Sequence, residues 1–170
     1  MPNTFNLIAS STVGAGGAAS IDFTSIPSTY TDLVLKISAR STGNAGVAWA
    51  GIRLTINGSG TGYSNTSLYG DGSSASSSGA SFIETGIASS SLSSGFGNTD
   101  VYFTNYTASQ SKPISAEGAQ ENNATQALSV LSANLWANTA AITSISIVLQ
   151  SGVGNFAQYS TAYLYGIVKS

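Results

Sequence analysis

The chain of 170 residues contains no cysteine, no histidine and only 3 prolines, and charged side chains make up just 7% of it. Each shortage removes a class of function. Without cysteine there are no disulfides, thiolate metal sites or thiol nucleophiles. Without histidine the Ser-His-Asp and Cys-His arrangements cannot be assembled, nor can imidazole zinc sites. The five bases, Lys36, Arg40, Arg53, Lys112 and Lys169, are scattered, and the net charge is −2. Nucleic-acid binding by counterion release needs several bases on one face, so no nucleic-acid partner is expected. No stretch approaches the ~20 apolar residues of a membrane span, and the opening MPNTFNLIASS lacks the basic leader and apolar run of a signal peptide. Synthesis in the cytoplasm without a membrane partner is the expectation.

What remains is a 42% hydrophobic chain whose polarity comes from Ser, Thr, Asn and Gly. Those residues suit turns and half-exposed strands, whereas surface helices draw on Glu, Lys, Arg and Gln. The apolar residues mostly alternate, the period of a strand with one buried face. Asp32–Arg40 sets Leu33, Leu35, Ile37 and Ala39 against Lys36, Ser38 and Arg40. Ala50–Asn57 repeats this with Ile52, Leu54 and Ile56 and stops at Asn57-Gly58, a turn dipeptide. Ser144–Gln150 does so again. Thr4–Ser10, Ser20–Thr24, Ala80–Ala88, Asp100–Tyr106, Pro113–Gln120, Ala127–Trp136 and Thr161–Val168 complete about ten predicted strands. Asn122–Trp136 is rich in Ala, Leu and Gln and has some helical character, but alternation within it favours a strand. Gly14–Ala19, Gly58–Asn65 and Asp71–Gly79 read as long loops, the last (DGSSASSSG) a low-complexity solvated tip or a contact loop that orders on binding. The pattern predicts one all-β domain over residues 1–170, an antiparallel β-sandwich of jelly-roll type.

Candidate chemistry is sparse. Glycoside hydrolysis needs two carboxyl groups about 5–9.5 Å apart. Glu117 and Glu121, if on one strand, lie ~13 Å apart at about 3.3 Å per residue, although a fold could bring Glu84 or Asp100 to either. Asp71 in YGDGSS hints at calcium but lacks the alternating acids and closing Glu of an EF-hand loop, and an Asp bonded to its own turn explains it better. Gly14-Ala15-Gly16-Gly17 lacks the Lys-Ser/Thr of a phosphate loop and reads as a bend. No catalytic residue, cofactor or metal is therefore expected. The aromatics Tyr63, Tyr69, Tyr102, Tyr106, Tyr159, Tyr163, Tyr165, Trp49 and Trp136 suit cores, subunit interfaces or sugar-stacking faces. Of these, Tyr63, Tyr69, Tyr163 and Tyr165 are the candidate interface residues.

The segments IDFTSIPSTYTDLVLKISAR (Ile21–Arg40), ENNAT (Glu121–Thr125), LWANTAAITSISI (Leu135–Ile147) and QYSTAYLYGI (Gln158–Ile167) resemble a group of small β-rich proteins encoded by tailed bacteriophages. The resemblance extends from the MPNTFNLIASSTV opening to the YGI ending. It implies a jelly-roll-like virion structural protein, either a capsid decoration (cement) protein or a tail-associated module, and it brings no catalytic motif with it. On this footing the expected partners are the major capsid protein and copies of the chain itself, as a homotrimer at local three-fold positions on the capsid surface. A tail fibre or spike module that binds host-surface glycans is the alternative, and a glycan hydrolase is the third reading.

Overall fold

The computed structural model describes residues 4–43, 50–88, 95–121, 127–151 and 153–168. The strands run in the order β1 (Phe5–Thr12), β2 (Ser20–Phe23), β3 (Asp32–Ala39), β4 (Ala50–Ile56), β5 (Tyr63–Gly70), β6 (Ala75–Ala80), β7 (Ile83–Ala88), β8 (Gly97–Phe103), β9 (Lys112–Glu121), β10 (Ala127–Trp136), β11 (Ile145–Leu149) and β12 (Thr161–Ile167). They form two antiparallel sheets. One has eight strands in the order β1-β12-β3-β8-β9-β10-β5-β6, and the other has four, β2-β11-β4-β7. The all-β sandwich expected from alternation is the architecture found.

Its connectivity is that of a jelly roll carrying two insertions. With β5, β6, β9 and β10 set aside, the remaining eight strands pair first with last, last with third and third with sixth in one sheet. In the other they pair second with seventh, seventh with fourth and fourth with fifth. That is the double Greek key of a jelly roll. The inserted strands all extend the first sheet beyond β8, which makes it twice the width of its partner.

One cluster of buried side chains fills the sandwich, with Leu33, Leu35 and Ile37 of β3, Ile52, Leu54 and Ile56 of β4, Ile145 and Ile147 of β11, and Ala162 and Leu164 of β12 among its members. The inward sets predicted for Asp32–Arg40 and Ala50–Asn57 are the buried ones. Asn57 and Gly58 both adopt positive φ (51° and 67°), and Ser59 N–H donates to Ile56 O at 2.9 Å, which makes the predicted turn a type I′. Gly17 (φ 71°) closes the predicted Gly14–Ala19 bend through its N–H to Gly14 O. A Cβ at Gly17 would sit 2.8 Å from Phe156 O, so the bend admits glycine alone.

Two expectations need correction. Among the described residues there are twelve strands against the ten or so expected, and the loops expected over Gly58–Asn65 and Asp71–Gly79 hold the start of β5 and most of β6. The physical reason lies on the inner face of the widened sheet. There β5 and β10 turn Asn65, Ser67, Ser132 and Asn134 inward, all buried, against the edge of β7 and not against apolar side chains. Asn65 Nδ2 donates to Glu84 O (3.3 Å) and Ser132 Oγ to the same oxygen (2.8 Å), while Glu84 N–H donates to Asn134 Oδ1 (3.2 Å). The network closes through Asn65 Nδ2 to Asn134 Oδ1 (2.7 Å) and Asn134 Nδ2 to Ser132 Oγ (3.1 Å). Side chains thus occupy the hydrogen-bonding edge of β7. Strand β5, whose inward positions do this, carries no hydrophobic period to read.

Residues 127–136 are strand, as alternation favoured over helix, and residues 122–126 lie outside the described residues.

Candidate docking face

The outer face of the eight-stranded sheet follows from register. Because β3 turns Leu33, Leu35 and Ile37 inward, Val34 and Lys36 point out. Across the sheet, Tyr163, Lys36, Asp100, Glu117, Leu131, Leu68 and Ser77 are successive cross-strand neighbours on that side. The row beside it contains Leu7, Tyr165, Val34, Tyr102 and Ser115. Among the described residues, seven of the eight large apolar side chains that stand exposed, namely Phe5, Leu7, Leu68, Tyr102, Leu131, Leu135 and Tyr163, fall on this face. Leu131 is 56% exposed and Leu7 55%; single exposed leucines are ordinary, and it is their gathering with aromatic side chains on one face that suits an interaction surface. Among the described residues, Tyr159 is the one that lies elsewhere.

Two adjoining depressions mark the face. One, of about 450 Å³, lies between Phe5, Val34, Tyr102 and Leu131, with Lys36, Asp100 and Glu117 on its wall. The other, of about 750 Å³, continues past Leu131 to Leu68 and Gly70. Lys36 Nζ pairs with Asp100 Oδ2 at 2.5 Å. With both side chains about half exposed, such a pair contributes about 0–1 kcal/mol. On β3, β8 and β9 the outward charges are Asp32, Lys36, Asp100, Glu117 and Glu121, so acids dominate this part of the face. Asp32 is already engaged. Its carboxylate accepts Tyr102 OH and Asn105 N–H, both at 2.7 Å, and the Asp32 bond, more than burial, raises the Tyr102 phenol above its ordinary pKa.

The acids singled out in the sequence fall in four places. Glu117 and Glu121 share the unbroken strand β9, which keeps them the expected ~13 Å apart. Asp100, on β8, is the direct cross-strand partner of Glu117, a relation that sets Cβ atoms about 4.5–5.5 Å apart. This juxtaposition comes from strand order, which spacing along the chain cannot reveal. The separation suits a retaining glycosidase pair, but that chemistry keeps one acid protonated in an apolar enclosure. Asp100 instead meets a lysine, and the face is open. Glu84 lies far from them, buried on β7, with Oε2 accepting Tyr69 OH at 3.0 Å. Gly51 makes room for it, since a Cβ there would approach Glu84 Oε1 to 2.6 Å. Asp71 Oδ1 accepts the N–H groups of Ser73 (2.9 Å) and Ser74 (2.6 Å) and both hydroxyls. The donors around it are those an anion wants and a cation does not. Among the described residues no group of three or more acidic side chains could hold a metal ion.

The four candidate interface tyrosines divide evenly. Tyr163 and Tyr165 project from β12 onto the outer face, and Tyr165 packs edge-on against Phe5 with ring centroids 6.4 Å apart. Tyr63 and Tyr69 point inward. Tyr63 OH accepts Ile56 N–H (2.9 Å) and donates to Ser59 O (2.8 Å), which ties β5 to the β4 turn, and Tyr69 holds Glu84. Burial raises both phenols above their ordinary pKa. Of the other aromatics, Tyr106 is buried and donates to Pro27 O, and Trp136 is buried; Trp49 lies outside the described residues. The exposed leucines at 131 and 135 were missed because in sequence they look like core positions of an alternating strand, and Leu68 because β5 has no alternation that would place it.

No protein-family model matches the chain, and no curated protein matches its sequence. Among solved structures it is similar to a fructofuranosidase from Schwanniomyces occidentalis complexed with fructose, at 11% identity and a TM-score of 0.29. A variant of that enzyme complexed with fructosylnystose gives 12% and 0.26. The match takes in 99% of this chain but 35% of the enzyme, so the chain spans about a third of the enzyme's length. Superposition this loose carries no argument about fold or activity.

Proposed function

We propose that the chain is a non-enzymatic structural protein of a tailed-phage virion, a capsid decoration (cement) protein that docks on the assembled shell through the outer face of its eight-stranded sheet. The observation that carries the reading is the gathering on that one face of seven of the eight large apolar side chains that stand exposed among the described residues. The phage resemblance supplies the setting. Mass action supplies the mechanism: a protein that binds only the assembled lattice stabilises it by RT ln(1 + [L]/Kd), about 2.7 kcal/mol at a free concentration 100 times Kd. The acidic outward charges of β8 and β9 call for a partner surface with apolar ridges and basic groups.

The test uses particles stripped of this protein and then resupplied with it. Leu131→Asp and Leu68→Asp change exposed positions and leave the fold intact, yet each weakens particle binding tenfold or more. The decorated particles also survive higher temperature than stripped ones. Unchanged binding by both variants rejects the docking face. A second reading rests on the Lys36–Asp100–Glu117 row beside Tyr102, a polar strip with an adjacent ring that suits a sugar. Under it the chain is a tail-fibre or spike module for host glycans. Glycan-array binding that Glu117→Gln abolishes favours this alternative over the decoration protein.

A further inference from the structure

A sheet edge is a row of unpaired N–H and C=O groups, and proteins blunt such edges with bulges, charges, brevity or a cover. This sandwich has four edges, at β1 and β6 in the wide sheet and at β2 and β7 in the narrow one. Three are managed. The register of β1 shifts between Leu7 and Ala9, a bulge that bends the edge away. β2 is only four residues long and carries Asp22. The edge of β7 is covered at Glu84 by Asn65, Ser132 and Asn134.

The fourth has none of these devices. β6 is six residues long, reads ASSSGA, carries no charge and no proline, and is exposed along nearly its whole length. It pairs with β5 without a register shift. Among the described residues, the main chain of Ser76–Gly79 bonds to nothing beyond β5.

We propose that β6 is a self-association edge, at which two copies of the chain join β6 to β6 antiparallel about a two-fold axis normal to the sheet. The occupant is a second copy because the strand is complementary to itself. Ser76, Ser78 and Ala80 stand opposite the inward residues Tyr69, Ser67 and Asn65, while Ala75, Ser77 and Gly79 stand opposite outward ones. A continuous pleat must set inward residues against inward ones. Two registers satisfy this while pairing five residues of each copy. One centres Ser77 on its own symmetry mate, with Ser76 facing Ser78 and Ala75 facing Gly79. The other centres Ser78 on its mate, with Ser77 facing Gly79 and Ser76 facing Ala80. Every cross-seam pair is small and uncharged in both, so neither like-charge repulsion nor steric crowding opposes the join. The net charge of −2 adds little repulsion between copies. Strand addition of this kind draws its affinity from main-chain hydrogen bonds. A six-residue seam falls short of the roughly 1,200 Å² of a stable interface. The pair is therefore weak in dilute solution and fills where copies are crowded. Its two-fold symmetry gives dimers and does not by itself build the trimer expected from the sequence. The inference stands apart from the docking face: that face looks along the sheet normal, whereas the seam is made by main-chain groups that point along the plane of the sheet.

The absence of cysteine makes the test clean. Ser77→Cys and Ser78→Cys each introduce a lone thiol, and residues facing each other across an antiparallel seam have Cβ atoms about 4.5–5.5 Å apart, close to disulfide reach. Under mild oxidation one of the two variants cross-links to a covalent dimer, whereas Leu131→Cys, on the same face but away from the edge, stays monomeric. Sedimentation of the unmodified chain up to millimolar concentration shows a monomer–dimer equilibrium, and Ser77→Lys raises its dissociation constant tenfold or more. A chain that is monomeric throughout, equal cross-linking at position 131, or a dimer indifferent to Ser77→Lys overturns the proposal. Particle binding plays no part in these readouts, so a failed docking face leaves them unaffected.

Discussion

Many side chains with functional potential in this sequence are consumed by the fold. Lys112, fully buried, spends its ammonium on the carbonyls of Ala108 (2.6 Å), Gln110 (2.5 Å) and Asn138 (3.3 Å), fastening the segment before β9 to the one after β10. Asp71 organises the turn between β5 and β6 in the same way. The backbone N–H groups of Ser74 and Ser73 lower its carboxyl from 3.8 to about 2. A depressed carboxyl pKa means that the turn's bonds are complete above the unfolded value near 3.8 and are lost as pH falls through about 2. An NMR titration is expected to place the Asp71 carboxyl near the bottom of the aspartate range, with amide exchange at Ser73 and Ser74 accelerating over the same interval. An ordinary titration midpoint would show that the turn does not depend on this anion. Asp71→Ala is likewise expected to speed exchange at both amides at neutral pH.

At the scale of elements, the polar cover on β7 explains how the widened half of the wide sheet is held against the narrow one. Asn134 is its hub, accepting from Glu84 N–H and Asn65 Nδ2 and donating to Ser132 Oγ. Asn134→Ala leaves the first two donors short of a partner in a buried setting, at about 1–3 kcal/mol for each group left unmade. Chemical denaturation reads this as a lowered midpoint with an unchanged slope, and a loss below about 0.5 kcal/mol would mean that water or neighbours replace the side chain. The same element shows what the sequence made legible. Strands that bury an apolar face, such as β3, β4 and β11, could be read from alternation. β5 and β6 could not, because their inward residues meet a backbone edge or open space, and Asn65, Ser67 and Ser78 look like loop. The docking face was half legible. Tyr163 and Tyr165 were singled out, but Leu131 signals a core, and Leu68 sits in a stretch without a readable period, until strand order shows which side they occupy. Register, set by distant strands, also put Asp100 beside Glu117.

For the molecule as a whole, the jelly roll makes stability depend on closing the chain's two ends. β12 lies between β1 and β3, its Ala162 and Leu164 are wholly buried, and Val168 N–H reaches Thr4 O at 3.1 Å. Removing residues 161–170 therefore leaves β1 without any strand partner and strips β3 of one of two. It also exposes the apolar residues that Leu164 covers, where burial of one such side chain is worth about 1.5–3 kcal/mol. Summed over the strand, this exceeds much of the roughly 5–15 kcal/mol that a domain has in hand. The truncated chain is expected to lose the cooperative thermal transition and the sequestered fluorescence of Trp136, a side chain on β10 that touches none of the deleted residues through strand pairing. Because many pairings in this fold join residues remote in sequence, folding of the intact chain is expected on the slow, millisecond-to-second scale of β-sandwiches. A truncated protein that still melts cooperatively, with Trp136 buried, would show that the inserted strands β9, β10, β5 and β6 and the narrow sheet form an independent unit, and that the jelly-roll closure is not what holds the sandwich together.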